Sequence, residues 1–196
     1  MALLGLNKEG HLCLKGAAGT EDVQPVRDVL LLVDTSGSMA GDKIIQAKQG
    51  AVDFARSANV RGCATALAIF GERAAMVCDP TTQTVVFENK IRSLSVGIVG
   101  GTTNLAAGLE LAGKFSQLNA VVVVTDGQPD SQEAALRAAQ SLKLRRIDIL
   151  CIGTDDADRS FLAQLATRSD LAIHVDSQNL RASIAQASHL LLGNGR

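Results

Sequence analysis

From Val29 to Val33 the chain reads Val-Leu-Leu-Leu-Val without a polar interruption, and from Ala120 to Val124 it reads Ala-Val-Val-Val-Val. Runs that are apolar at every position, rather than at every second one, belong to strands covered on both faces, as in parallel sheets flanked by helices. Each run gives way to a carboxylate: Asp34 follows the first, and Thr125, Asp126 and Gly127 follow the second. Cys63 to Gly71 predicts a third strand, with Ala74 to Cys78 as its hairpin partner across Gly71, Glu72 and Arg73, ended by Pro80. Ile147 to Ile152 and Ala172 to Val175 predict two more. Between the strands the period changes. Asp42 to Ala58 carries Ile44, Ile45, Ala47, Ala51, Val52 and Ala55 at helical spacing. Further helices are predicted over Thr84 to Ser93, Asn104 to Phe115, Gln132 to Leu144, Arg159 to Arg168 and Asn179 to Leu192. The alternation predicts an α/β fold: a doubly wound, mostly parallel central sheet with one antiparallel edge strand and helices on both faces.

Composition narrows this picture. At 196 residues, 46% of them hydrophobic and none Trp or Tyr, the chain has material for one core, built from Val, Leu, Ile and Ala. A formal net charge of -1 leaves no basic footprint for nucleic acid and no polybasic membrane patch. Cys13, Cys63, Cys78 and Cys151 form no C-x-x-C pair, which argues against a structural zinc site or redox dithiol. Cys63, Cys78 and Cys151 lie in apolar segments, where a thiol behaves as a small hydrophobe. Reduced thiols, an amino terminus unlike a signal peptide and the lack of a membrane-length apolar run together predict a cytoplasmic protein. The first 25 residues read as an extension or a small hairpin around Asn7 to Gly10.

The candidate chemistry begins at Asp34. Ser36 and Ser38 follow it at alternate positions, and Gly37 is expected to let the loop curl so that both hydroxyls converge beside the carboxylate. Ligands of α/β sheets bind outside the carboxyl ends of strands, which is where Asp34 stands. A carboxylate with neutral hydroxyls is a hard oxygen site, suited to magnesium, manganese or calcium and poorly to zinc or copper. Asp, Ser and Gly are also ordinary turn and cap residues, so the triplet alone does not decide the matter. Two further segments do: Gly100 and Gly101 precede Thr102, Thr103 and Asn104 at the start of a helix, and Asp126 closes the second apolar run.

In this order, the residues resemble the von Willebrand factor A (vWA) domain family and its metal-ion-dependent adhesion site (MIDAS): Asp-x-Ser-x-Ser, a Thr in a glycine-rich loop, then an Asp at a strand end. The resemblance spans about Val26 to Leu192, leaving 193–196 as a tail, and implies a Rossmann-like sheet. It also implies that Ser36 and Ser38 ligate a metal directly, that Asp34 and Asp126 hold it largely through water, and that Thr103 is the exchangeable ligand. Thr103 is preferred because Asn104, Gly108 and Leu109 follow it in the family's register, while Thr102 stays open; either threonine is a candidate helix cap. The implied cofactor is Mg2+, with Mn2+ or Ca2+ as alternatives. The implied partner is another protein offering an Asp or Glu carboxylate, and small bacterial relatives serve as adaptors for AAA+ ATPases, kinases or phosphatases. No catalytic residue is expected.

The competing reading is a metal-dependent phosphohydrolase using the same ion as a Lewis acid. Gly108 to Lys114 imitates a phosphate loop, but Phe115 stands where Ser or Thr is needed and no strand precedes it. His11, His174 and His189 are scattered away from the site loops, which disfavours a Ser-His-Asp hydrolase. Asp155, Asp156 and Asp158 are expected to solvate a loop and cap the following helix.

Overall fold

Both fully apolar runs form adjacent central strands, and the rest of the sheet grows outward from them. The computed structural model describes residues 3–6, 12–15, 28–154 and 157–192. Near the amino terminus β1 (Leu3–Leu6) and β2 (Leu12–Lys15) pair antiparallel, with Leu3 opposite Lys15 and Leu6 opposite Leu12. The turn expected at Asn7 to Gly10 lies outside the described residues, as does His11.

The main sheet contains β3 (Asp28–Asp34), β4 (Ala64–Phe70), β5 (Ala74–Thr81), β6 (Leu118–Thr125), β7 (Asp148–Thr154) and β8 (Ala172–Val175) in the order β5-β4-β3-β6-β7-β8. The β4–β5 pair is antiparallel and the others are parallel. Leu30, Leu31 and Leu32 on β3 and Val121 to Val124 on β6 are fully buried, as strands covered by helices on both sides must be. The helices are α1 (Asp42–Val60), α2 (Thr84–Arg92), α3 (Leu105–Ala112), α4 (Gln132–Leu144), α5 (Arg159–Leu165) and α6 (Leu180–Leu192). They pack in two groups, α1 with α2 and α6, and α4 with α3 and α5. The approach of α3 is close: a Cβ on Gly108 would lie 2.9 Å from a Leu32 methyl.

Four sequence expectations need correction. Pro80 lies inside β5 instead of ending it. Its missing N–H is tolerated because β5 is an edge strand, and the β4–β5 register is irregular between Thr65 and Ala68. The helix expected to Phe115 stops at Ala112, before Gly113, a poor helix former. The helix expected to Arg168 stops at Leu165, because Ala166 turns extended and Thr167 bonds to β7 instead: its N–H donates to Ile149 O, and Ile149 N–H donates to its hydroxyl. The core is also not purely aliphatic, since Phe54, Phe70, Phe87 and Phe161 are buried in it.

Cys63, Cys78 and Cys151 are buried as thiols. Burial pushes Cys151 up to about 12, so it remains a neutral apolar group. No helix among the described residues is long and apolar enough to cross a membrane.

Candidate metal centre

The chain leaves β3 toward β4 and β5 on one side, then crosses back to β6 on the other. The carboxyl ends of β3 and β6 therefore flank the point where the winding reverses, the position where open α/β sheets bind ligands. Asp34 is the last residue of β3, and Asp126 immediately follows β6 instead of ending it.

A chain of hydrogen bonds ties these two carboxylates together. The Thr125 hydroxyl donates to Asp34 Oδ2 (2.7 Å), and Ser36 N–H donates to Asp34 Oδ1 (2.8 Å). Ser36 Oγ lies 3.1 Å from Ser38 Oγ, which donates to Asp126 Oδ1 (2.7 Å). Asp34, Ser36, Ser38 and Asp126 are thus brought into one cluster, with Asp34, Ser36 and Asp126 buried and Ser38 open to solvent. The curl of the loop does not rest on Gly37, whose φ is not positive and whose missing Cβ would meet nothing within 4 Å. It comes from the Asp34–Ser36 bond and a short 3-10 turn over Gly37–Met39. Thr35 anchors the loop to the neighbouring strand, its N–H and hydroxyl both donating to Phe70 O.

Burial raises Asp34 above the usual carboxylate range, opposed by the bonds from Ser36 and Thr125 and reinforced by the nearby Asp126 charge. Two buried carboxylates with shared hydroxyls form a donor set that a cation would stabilise, and their oxygens suit a hard ion. The residues present fit the metal. Among the described residues a cation reaches this cluster: Lys43 Nζ, on the first turn of α1, donates to Asp126 Oδ2 (2.5 Å) and to Ser38 O (3.2 Å).

Thr103 stands on the adjoining loop and is less fully integrated. Its N–H donates to Asp130 Oδ1 (3.0 Å) and its carbonyl accepts from Asp130 N–H (3.0 Å), while its hydroxyl makes no hydrogen bond among the described residues. The loop is held against the site by Gly37 N–H to Gly101 O (3.4 Å), Gly97 N–H to Thr35 O (2.7 Å) and Asn104 N–H to Gly71 O (2.7 Å). Gly100 takes φ +100°, and a Cβ there would fall 2.3 Å from Glu72 Cβ. Neither threonine caps α3. Asn104 does, its side chain accepting from Ala107 N–H, and Thr102 is exposed.

The other candidates separate from the site. The segment imitating a phosphate loop is largely helix α3, with Leu109 and Ala112 in the core. His174 is on β8, and His189 accepts from Arg61 at 2.7 Å across the α1–α6 contact. Asp158 caps α5 as expected, accepting from Ser160 and Phe161 N–H, whereas Asp155 and Asp156 lie outside the described residues. Three residues of the site escaped the sequence reading. Thr125 could have been suspected as a polar residue closing an apolar run, and Lys43 as a cation at the disfavoured end of a helix dipole. Asp130 carries no signal beyond its nearness to Asp126.

Comparison with known proteins gives this geometry a family. Residues 29–128 match the von Willebrand factor type A domain family. The chain belongs to that family. Solved vWA neighbours share its fold at low identity. The vWF domain of the type V pili tip protein Mfa5 from Porphyromonas gingivalis has a TM-score of 0.74 at 15% identity, covering 87% of this chain and 97% of that one. Proximal thread matrix protein 1 from the mussel byssus has a TM-score of 0.72 at 18% identity over 84% of this chain, and has also been solved with a zinc-occupied MIDAS motif. This chain spans 46% of the mussel protein's length. Manganese-loaded TRAP protein from Plasmodium vivax has a TM-score of 0.62 at 19% identity, covering 81% of this chain and 72% of that one. No curated protein sequence matches the chain. vWA domains mediate metal-dependent adhesion or protein–protein interaction.

Proposed function

We propose that this vWA domain is a metal-dependent protein-interaction module. Ser36, Ser38 and Thr103 would offer hydroxyl ligands to the ion, and Asp34 and Asp126 would supply the carboxylates that balance its charge. Mg2+ is the proposed ion, with Mn2+ or Ca2+ as substitutes. The observation that carries this reading is the bonded series from Thr125 through Asp34, Ser36 and Ser38 to Asp126, which assembles hard oxygen donors at the winding reversal of the sheet. A metal there supplies an electrophilic centre for an Asp or Glu carboxylate of another protein.

The chain's own residues prepare that centre. Thr125 and the Ser36 N–H fix the Asp34 carboxylate, Asp126 orients the Ser38 hydroxyl, and Asp130 holds the backbone of Thr103. Binding is favoured over phosphoester hydrolysis because the phosphate-loop imitation is a packed helix and neither described histidine belongs to the site. Buried thiols support an intracellular adaptor role, with an AAA+ ATPase, kinase or phosphatase as the proposed class of partner.

The test is a pull-down from cell lysate on the immobilised chain, run in Mg2+, in EDTA and with Ser36→Ala. Prey retained in Mg2+ and lost in both other arms is expected. Phosphoester turnover by the pure protein, abolished in Asp34→Ala, would replace this reading with the hydrolase.

A further inference from the structure

Lys43 is the group in the cluster that no ligand pattern explains. It sits in the first turn of a 19-residue helix, where the helix dipole opposes a cation, yet it reaches back over the loop to a carboxylate that is fully buried. Its ammonium lies 2.5 Å from Asp126 Oδ2, whose other oxygen accepts from Ser38, and 3.2 Å from the Ser38 carbonyl. A positive charge is thereby held on the same carboxylate and the same serine that the proposed metal uses. The side chain itself is 23% exposed, and a four-carbon stem gives it room to swing outward without moving the helix.

We infer that Lys43 is a tethered countercharge that competes with the metal for Asp126, so that divalent-ion binding requires displacement of its ammonium. This rests on the metal-site reading above. Without metal, the ammonium offsets the cost of a buried carboxylate and holds Ser38 in place. When a divalent ion approaches, two like charges would crowd one carboxylate, and the lysine gives way. The lysine therefore lowers metal affinity while stabilising the metal-free loop, making the site sensitive to ion concentration.

The experiment compares Mn2+ binding by calorimetry and metal-free thermal stability in wild type, Lys43→Met, Lys43→Arg and Asp126→Ala. Lys43→Met keeps most of the stem and removes the charge. It should bind Mn2+ roughly tenfold or more tightly than wild type, by loss of a repulsion at close range, and melt at a lower temperature without metal. Lys43→Arg should stay near wild type in affinity. Equal affinities for wild type and Lys43→Met, with binding abolished in Asp126→Ala, would overturn the competition while leaving the metal site standing. Absence of Mn2+ binding in every variant would overturn both. A measurement on the wild-type chain covers the case in which Lys43→Met does not fold. The Lys43 ammonium proton signal, protected by its bond to Asp126, should be lost to solvent exchange on saturation with Mg2+, and its persistence at saturation would contradict the inference.

Discussion

At the scale of single residues, the site depends on buried polar atoms being satisfied in a fixed order. Asp34 is fully buried and accepts one bond on each oxygen, from the Ser36 N–H and from the Thr125 hydroxyl. Thr125→Val keeps the shape and removes one donor, leaving the buried Asp34 Oδ2 without that partner. Destabilisation of about 1–3 kcal/mol is expected, the usual cost of orphaning a buried polar group, measured by urea denaturation. A variant as stable as wild type would show that the Thr125 bond does not support the site. The sequence exposed Asp34, Ser36, Ser38 and Asp126 because their alternation after apolar runs is a local pattern. Thr125, Lys43 and Asp130 act through contacts with residues 91, 83 and 27 positions away, which no local pattern encodes.

At the scale of elements, the strand runs other than β5 and helix α4 were closely legible, because unbroken apolar runs and strong helical periods leave little choice. The carboxyl-terminal ends of α3 and α5 were not, although those of α2 and α6 were. That of α3 is set by Gly113, a poor helix former, and that of α5 by the pairing of Thr167 with Ile149, a neighbour in space. The loop between α2 and α3 shows the same dependence. Gly100 holds a left-handed conformation with its missing Cβ directed at Glu72, whereas a Cβ on the adjacent Gly101 would meet nothing within 4 Å. Gly100→Ala should therefore cost about 1–3 kcal/mol through strain and overpacking, while Gly101→Ala stays close to wild type, both read by chemical denaturation. Equal stability of the two variants would mean that the loop is not held as described.

At the scale of the whole molecule, the fold brings two distant segments, 34–38 and 126, together at the winding reversal of the sheet, while Asp130 and the glycine-rich turn hold the loop that carries Thr103. A sheet with its two most apolar strands side by side places both carboxylates at its rim, where their burial calls for a cation. We propose that this rim binds a divalent metal through Asp34, Ser36, Ser38, Thr103 and Asp126. Calorimetric titration of Mg2+ into wild type, Asp34→Ala and Ser36→Ala tests it most directly, with circular dichroism to verify that the variants remain folded. Saturable binding by wild type, lost in both folded variants, is the predicted result; Mg2+ affinity unchanged in both would contradict the site.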